Sequence, residues 1–323
     1  MESLSRYQIL FDNYLENNKQ KSKPLGLYAP IEYILSLGGK RLRPLLALMA
    51  TEAFGNNPEE ALPAALSVEV FHNFTLIHDD IMDQAPLRRG APSVHNKWDE
   101  NTGILSGDAM LIQAYQCLET YPNELFFKLI KHTSKTALEV CEGQQYDMDF
   151  ETQKDVTISA YLEMIRLKTA VLVGHSLKIG AWIGYASDQE AQLLYDFGVL
   201  LGMAFQIQDD YLDAFGDPKD FGKQVGGDIL ENKKTILYHE VMKSGNIKEK
   251  KELIQWYDTT VKNNQKVIAV KGIFKSSGAS IASQKLVTSY TEDAFKKLES
   301  LIISAQGKEL LIEFGQNLMN RKF

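Results

Sequence analysis

The motif DDxxD occurs twice in this chain, at residues 79–83 and 209–213. In each copy the first and last carboxylates are four residues apart, so on a helix they point the same way from adjacent turns. These like charges repel each other, and a divalent cation that binds both would remove the repulsion. Magnesium prefers oxygen ligands and shares its coordination with waters and substrate phosphates, so one or two carboxylates per ion are enough. The motifs therefore predict magnesium sites that bind a phosphorylated substrate.

Each motif also has an alternative interpretation as a solvated acidic helix face. Acidic pairs on exposed helices are common, so a single DDxxD is a weak indication of a metal site. Here each copy follows an apolar run, FTLIH before the first and MAFQIQ before the second. These runs favour carboxylates at the mouth of a buried pocket. Two such sites facing each other would bind one diphosphate through several metal ions.

A basic segment, GGKRLRP at residues 38–44, places three cations beside two glycines. The arginine fork and the lysine ammonium both suit phosphate oxygens. Each DDxxD motif is followed by further glycine and basic residues, in PLRRGAP and GDPKDFGKQVGGD. A solvated basic turn is the alternative for the first segment taken alone. Together these segments predict binding sites for anionic ligands.

Long helices are predicted to position these motifs, because apolar residues recur at three- and four-residue steps and no convincing strand is present. One helix is expected to start near Pro44. A second is opened by Pro58 and runs about 25 residues, roughly 37 Å, to the loop at Ala85-Pro86. A third covers Gln189 to Phe215 and ends at the turn signals Gly216-Asp217-Pro218. The second and third helices each end in one DDxxD motif.

The bulk composition limits the class of protein. The 323 residues include 44% hydrophobic and 24% charged residues, with nine prolines and a net charge of −7. This charge disfavours general nucleic-acid binding, which needs a dominant basic surface. The two cysteines lack metal-ligand spacing, no run of 18 apolar residues is present, and the N-terminus has no apolar leader. We expect one cytoplasmic domain, residues 1–323, without a membrane span.

Five segments occur in a defined order between Gly38 and Lys234: GGKRLRP, LIHDDIMDxxxLRRG, RLKTA, FQIQDDYLD and GKQVGGDILENK. Together they closely resemble the trans-type prenyl diphosphate synthases, the farnesyl and geranylgeranyl diphosphate synthase family. The resemblance implies an all-α fold, a bundle of about ten or more helices around a deep central cavity, known as the isoprenoid synthase fold. It also implies a homodimer, with the two aspartate motifs opposed at the cavity mouth.

The resemblance further implies residue roles by matching position. Asp79, Asp83 and Asp209 correspond to ligands of three magnesium ions that hold an allylic diphosphate, with Asp80 and Asp213 in support. The residues expected to contact the same diphosphate are Arg88, Lys168, Lys223 and Lys233. The residues expected to bind isopentenyl diphosphate without metal are Lys40, Arg43, His72 and Arg89. For His72, a structural role in a partly buried position is the alternative, and His78, His95 and His175 are interpreted as structural. Thr169 and Gln206 resemble the residues whose oxygen dipoles face the allylic cation.

The implied reaction joins isopentenyl diphosphate head-to-tail onto dimethylallyl, geranyl or farnesyl diphosphate and releases diphosphate. No side-chain base is evident in the motifs, and in the family the released diphosphate is thought to accept the final proton. The loops at residues 88–92 and 216–228 are candidates for moving lids.

Product length is expected to depend on residues before the first motif, namely Phe71, Phe74 and Thr75. The family pattern associates an aromatic residue at the position of Phe74 with short products. Paired aromatics that include the next position accompany the fifteen-carbon product, but that residue is Thr75 here. The first motif also lacks a two-residue insertion, so we predict geranylgeranyl diphosphate, with farnesyl diphosphate next. Core packing is the alternative role for both phenylalanines.

Two other functions are compatible with parts of this pattern. A class I terpene cyclase also ionises a prenyl diphosphate with aspartate-bound magnesium, but it has no need for GGKRLRP. A non-catalytic regulatory subunit of a heteromeric synthase would keep the fold, but it should have damaged motifs, and both DDxxD copies are intact.

Overall fold

The structure is a computed structural model that describes residues 2–19, 23–153, 155–216 and 226–319. Helices account for most of these residues, which confirms the predicted all-α class. The α-helices are α1 (Glu2–Asn17), α2 (Leu25–Ser36), α3 (Leu42–Ala53), α4 (Leu62–Met82), α5 (Val94–Lys97), α6 (Glu100–Gln116), α7 (Asn123–Thr152), α8 (Ile158–Ile165), α9 (Val171–Ile183), α10 (Asp188–Phe215), α11 (Gly227–Leu230), α12 (Ile236–Ser244), α13 (Ile247–Tyr257), α14 (Asn264–Ser276), α15 (Ala279–Glu299) and α16 (Ala305–Met319). Short 3-10 turns cover Pro58–Ala61 and Cys117–Thr120, and a π-helical turn covers Arg166–Ala170.

The helices that carry the motifs lie where the sequence predicts them. Helix α10 spans the predicted range to within one residue, and α3 starts two residues before Pro44. Helix α4 is preceded by the 3-10 turn at Pro58 and ends at Met82, so Asp83 is its C-terminal cap. Polar N-caps fix the starts of other helices, for example Asp99 at α6 and Thr157 at α8. Each accepts a hydrogen bond from a first-turn N–H that would otherwise lack a partner.

The described chain divides into two compact units. Unit 1 consists of residues 2–135, 175–195 and 302–311. Its core includes α3, an almost wholly apolar helix, and α4, which packs against α3 and α6. The central stretch of α3, residues 44–50, is apolar on all sides, which is expected of a helix in a core position.

Unit 2 consists of residues 136–174, 196–301 and 312–319. Its apolar core is formed by side chains from α8, α10, α12 and α14, including Ile165, Ile207, Val241 and Phe274. The second DDxxD motif lies in this unit, near the C-terminal end of α10.

The segment PLRRGAP corrects the prediction that the chain has no strand. Leu87–Arg88 (β1) pairs antiparallel with Ala91–Pro92 (β2). The residues between them, Arg89 and Gly90, have φ angles of 55° and 77°. Positive φ at both central positions is typical of the type I′ turn that suits a tight hairpin. Strands of two residues are too short to show alternation, so the periodicity of the sequence could not reveal them.

No helix in the described ranges is both long and apolar enough to span a lipid bilayer.

Candidate active site

The first DDxxD motif presents its three carboxylates in different environments. Asp79 is partly exposed and Asp83 is exposed, one turn apart at the end of α4. Asp80 is 1% exposed and accepts hydrogen bonds from Arg88 of the hairpin, with Nε 3.0 Å from Oδ1 and 3.2 Å from Oδ2. Arg88 Nη2 also lies 3.5 Å from Asp79 Oδ2. Asp80 therefore anchors the hairpin, while the outer carboxylates face away from the core.

Burial raises the pKa of Asp80, and the hydrogen bonds and charge of Arg88 oppose this rise. A buried carboxylate without such a partner would be costly, because its charge would be removed from water without compensation. The pairing also orients the guanidinium beside Asp79. Arg88 thus remains next to the carboxylates that are predicted to bind metal and diphosphate.

The GGKRLRP segment adopts an irregular backbone before α3. Gly38 and Gly39 have φ angles of 74° and 128°, which favour glycine, and Arg41 at 48° lies in the left-handed region. Arg89 Nη1 donates to the carbonyl of Gly38. The guanidinium carbon of Arg89 lies 3.0 Å from where a Cβ of Gly39 would be. Glycine at this position therefore makes room for the hairpin arginine against the loop.

A buried ion pair between Arg41 and Glu69 supports the same loop and was not predicted from the sequence. Arg41 Nη1 donates to Glu69 Oε1, and Arg41 Nη2 donates to the carbonyl of Leu35. Asn73 Nδ2 donates to the same glutamate oxygen at 2.8 Å. Both charged side chains are almost fully buried, so each depends on its partner. The pair joins the loop before α3 to α4.

His72 lies in a strongly basic environment. Arg43 Nη1 is 3.2 Å from His72 Nε2. Burial lowers the pKa of His72 well below its ordinary value, and the charges of Arg43, Arg89, Arg88 and Arg41 lower it further. His72 is therefore neutral, and its Nε2 accepts a hydrogen bond from Arg43 Nη1. Lys40 is exposed in the same loop. The structure thus places Arg43, His72 and Arg89 in one cationic region, and Lys40 lies in the loop that leads into it.

The predicted chain-length residues lie on α4 before the first motif. Phe71 and Phe74 are 3% and 8% exposed, and their rings meet edge to face with centroids 5.5 Å apart. The Phe74 ring also meets the ring of His78 at 4.9 Å. Thr75 Oγ1 donates to the carbonyl of His72 at 2.7 Å. Phe71 and Phe74 therefore form one continuous aromatic surface.

The RLKTA segment forms the π-helical turn at residues 166–170 between α8 and α9. Such turns are rare and occur frequently at functional sites. Gly143 of α7 allows the turn to approach closely, since a Cβ there would overlap the backbone of Lys168. Lys168 Nζ lies 2.6 Å from Asp147 Oδ2, also on α7. Asp147 was not singled out from the sequence, because it belongs to none of the quoted motifs.

The turn also places Thr169 beside the second motif. Thr169 Oγ1 donates to Gln206 Oε1 at 3.1 Å, and Gln206 Nε2 donates to Asp210 Oδ1 at 3.0 Å. Tyr161 Oη donates to Asp210 Oδ2, and the N–H of Ile236 approaches the same oxygen at 3.5 Å. Thr169 and Gln206 are therefore in direct contact. Tyr161 and Asp210 were missed by sequence reasoning.

The outer aspartates of the second motif are more exposed than Asp210. Asp209 and Asp213 are partly buried, and Asp213 Oδ2 accepts the N–H of Asp228 at 3.0 Å. Lys233 Nζ lies 3.5 Å from Glu231 Oε2, with both side chains largely exposed. An exposed pair of this kind contributes little stability. Lys223 and residues 217–225 of the second proposed lid lie outside the described residues.

In the described part of the chain, no group of three histidine, cysteine, aspartate or glutamate side chains is arranged to hold a metal ion. The described residues therefore form no preformed protein cage for a metal. Magnesium does not require one, since it keeps waters and takes ligands from substrate phosphates.

The family model of polyprenyl synthetases matches residues 25–274. The chain belongs to this family. It is 39% identical over 304 residues to the geranylgeranyl diphosphate synthase of Methanosarcina mazei, covering 94% of this chain and 92% of that one. It is 41% identical over 233 residues to the geranylfarnesyl diphosphate synthase of Natronomonas pharaonis, covering 67% and 68%. A crystal structure of a geranylgeranyl pyrophosphate synthase superimposes with a TM-score of 0.95 and 51% identity, covering 99% of each chain.

Family membership confirms the predicted class of fold and activity. The chain is a prenyltransferase with the isoprenoid synthase fold, and it makes a short-chain prenyl diphosphate. The alternatives of a terpene cyclase and a non-catalytic subunit receive no support from these relationships.

Proposed function

We propose that this enzyme condenses isopentenyl diphosphate with an allylic diphosphate and that its final product is geranylgeranyl diphosphate. The observation that carries this proposal is the cationic region around His72. His72 lies on α4, seven residues before the first motif, and Arg43 and Arg89 beside it provide positive charges in addition to the acidic motif. A reaction with two diphosphate substrates needs both kinds of site, whereas ionisation of a single substrate needs only the acidic one.

Magnesium, with three ions expected, fits the acidic residues. Asp79 and Asp83 present oxygen ligands from adjacent turns of α4, and Asp209 presents one on α10, with Asp213 in support. Asp80, the second aspartate of the first motif, accepts hydrogen bonds from Arg88 and would support the metal site through that residue. When bound, magnesium would compensate the negative charge of the departing diphosphate.

The side chains of the enzyme would act on the allylic diphosphate in two ways. Arg88 and Lys168, together with Lys223 and Lys233, would bind its oxygens and stabilise the charge that develops when the carbon–oxygen bond breaks. The oxygens of Thr169 and Gln206 would face the resulting allylic cation. The hairpin at residues 88–92, held to α4 by the Arg88–Asp80 pair, would help to exclude water, which would otherwise trap the cation.

Isopentenyl diphosphate would be held by Lys40, Arg43 and Arg89, with neutral His72 positioned by Arg43. Its double bond would then attack the allylic cation at close range, so binding replaces a bimolecular encounter. The proton lost from the new chain would pass to the released diphosphate, since no side-chain base is evident among the motif residues.

The proposed twenty-carbon product rests on the aromatic surface of Phe71 and Phe74 before the first motif. These rings would form the floor of a deep cavity, and the small Thr75 would leave room beyond a fifteen-carbon chain. The names of the two relatives, a geranylgeranyl and a geranylfarnesyl diphosphate synthase, support a product of this size or slightly longer.

We further propose one domain over residues 1–323, a homodimer and a cytoplasmic location. Helix α6 exposes Leu105 and Ile112, seven residues apart on one face, and α7 exposes Phe127. Large exposed apolar side chains of this kind mark protein interfaces when they cluster. The free thiols of Cys117 and Cys141 are compatible with a reducing compartment. Light scattering of the purified protein measures its mass in solution, which should equal that of two chains.

The central experiment incubates the purified enzyme with labelled isopentenyl diphosphate, magnesium and one primer at a time: dimethylallyl, geranyl or farnesyl diphosphate. Mass analysis after dephosphorylation should show a twenty-carbon alcohol as the final product with every accepted primer. A matched sample with a chelator should show none. Cyclised hydrocarbons without consumption of isopentenyl diphosphate would indicate a terpene cyclase, and a shorter or longer final product would replace the proposed chain length.

A further inference from the structure

Asp210, the second of the three aspartates in the second DDxxD motif, is an internal hydrogen-bond acceptor. The residue is only 6% exposed. Its Oδ1 accepts from Gln206 Nε2, and its Oδ2 accepts from Tyr161 Oη and the N–H of Ile236. These donors come from α8, α10 and the first residue of α12. Both carboxylate oxygens are therefore already used within the protein.

This arrangement fixes which way the Gln206 amide points. Burial and the nearby charge of Asp228 raise the pKa of Asp210 to about 7, and the hydrogen bonds from Tyr161 and Gln206 oppose this rise. Because both carboxylate oxygens accept hydrogen bonds in the structure, the amide presents its NH₂ group to Asp210. The reversed amide would place Oε1 against a carboxylate oxygen, and two acceptors would then face each other inside the protein. The amide oxygen consequently faces Thr169.

The orientation of Gln206 in turn fixes the hydroxyl of Thr169. This hydroxyl has one hydrogen, and that hydrogen is donated to Gln206 Oε1 at 3.1 Å. The remaining lone pairs of Thr169 Oγ1 therefore point elsewhere. A hydroxyl or amide oxygen attracts a nearby cation, whereas a hydrogen on the same group repels it. The direction of the hydrogen bonds that link Asp210, Gln206 and Thr169 therefore decides whether oxygens or hydrogens of these groups face a nearby cation. It decides in turn whether the electrostatic field of these groups attracts or repels that cation.

We propose that Asp210 and Tyr161 are positioning residues that set the hydrogen-bond direction of Gln206 and Thr169, so that oxygens rather than hydrogens face the allylic cation. This inference rests on the proposed function, in which Thr169 and Gln206 stabilise that cation. Asp210 then acts through Gln206 and is not a ligand of magnesium. Tyr161 keeps the carboxylate in place from the opposite side.

Asp80, the corresponding residue of the first motif, is also used to bind another side chain, but its partner is different. Asp80 is buried and binds Arg88, while Asp79 and Asp83 are more exposed. In both motifs the middle carboxylate is therefore used to orient another group of the site. In the first motif that group is a cation, and in the second it is a neutral dipole.

The test begins with Asp210→Asn, which keeps the size of the side chain but can donate to Gln206 Oε1 and reverse the amide. We expect kcat to fall by about 10²-fold, similar to the loss of one preorganised dipole at a reacting centre. The KM of the allylic diphosphate and the magnesium concentration for half-maximal rate should stay within about twofold. Tyr161→Phe should lower kcat by about tenfold, since one hydrogen bond to a charged group is removed.

A double-mutant cycle with Gln206→Met separates positioning from an independent role. If Asp210 acts through Gln206, Asp210→Asn should change kcat by less than about threefold in the Gln206→Met background. The proposal would be overturned if the two substitutions lowered kcat by factors that multiply in the double variant. A higher magnesium concentration for half-maximal rate in Asp210→Asn would also overturn it. Tyr290→Phe, which changes a partly buried tyrosine elsewhere in unit 2, is the matched control and should keep the wild-type kcat.

Measurements of folding and of wild-type activity accompany these kinetics. Circular dichroism and thermal melting check that each variant is folded, and Tyr161→Phe provides the test if Asp210→Asn does not fold. The wild-type enzyme must consume isopentenyl diphosphate in the same assay. Its failure to do so would refute the proposed function, whereas an active wild type with additive mutants refutes the positioning role alone.

Discussion

Replacing Phe74 by alanine should lengthen the product of this enzyme. Phe74 lies on α4 and is 8% exposed, with its ring against Phe71 on one side and His78 on the other. Alanine in its place would remove the whole ring and leave the helix intact, because alanine is the best helix former. The space opened would lie directly beside Phe71, which would become the next barrier to a growing chain.

The size of the effect follows from the atoms removed. The phenyl ring has six carbons and each elongation step adds five, so the vacated space accommodates one further isoprene unit. We therefore expect the main product to change from twenty to twenty-five carbons. Truncation of a buried phenylalanine typically costs about 3–5 kcal/mol of stability. The cost here should be near the lower limit, since the ring is not fully enclosed.

The assay is the primer experiment with farnesyl diphosphate and excess labelled isopentenyl diphosphate, followed by mass analysis of the dephosphorylated products. It is run well below the melting temperature of each variant. Phe274→Ala is the matched control, because Phe274 is a buried residue of the unit 2 core on α14. This control should lose similar stability and keep the wild-type product length.

An unchanged product length in a folded, active Phe74→Ala enzyme would refute the assignment of Phe74 to the cavity floor. The ring would then be an ordinary core residue. Longer products from Phe274→Ala would show that loss of stability alone relaxes chain-length control, and Phe74 would then not be a specific barrier to the growing chain.

Three further predictions concern metal binding, backbone packing and pH. Asp79→Ala and Asp209→Ala should each lower kcat by at least about 10³-fold without changing the helical circular dichroism, because each removes a metal ligand. Gly143→Ala should lower both stability and kcat, by more than about 3 kcal/mol and tenfold, because its Cβ would displace the π-helical turn. Burial lowers the pKa of His132 to about 2 and of His175 to about 3. The unfolded chain therefore binds more protons below about pH 6.5, and the free energy of unfolding should fall by about 1–3 kcal/mol between pH 7.5 and 5.5.

Each of these predictions has a matched comparison. For the aspartates, Asp108→Ala removes an exposed carboxylate of α6 and should leave kcat unchanged, whereas near-normal turnover in Asp79→Ala would exclude a ligand role. For Gly143, Gly272→Ala is a suitable control, since open space surrounds its position in α14. For the histidines, urea unfolding of the double variant His132→Gln, His175→Gln should show a weaker pH dependence. An equal dependence would contradict the role of this pair.

The elements of this fold are strongly encoded in local sequence. Apolar residues at helical spacing, Pro58 and the turn signals after Phe215 identified both long helices to within a few residues, because these signals act over one or two turns. The hairpin at residues 87–92 was missed, because strands of two residues have no detectable period.

The sequence by itself determined the chemical class of the protein. Two acidic motifs, the basic loop and their order identify the family, since ligand types and spacing are properties of short segments. The tertiary structure alone decided which charges are used internally. Arg41 pairs with Glu69, 28 residues away, and Tyr161 binds Asp210, 49 residues away. Such pairs depend on how separate helices pack, and a buried charge can take whichever partner that packing brings within hydrogen-bond distance.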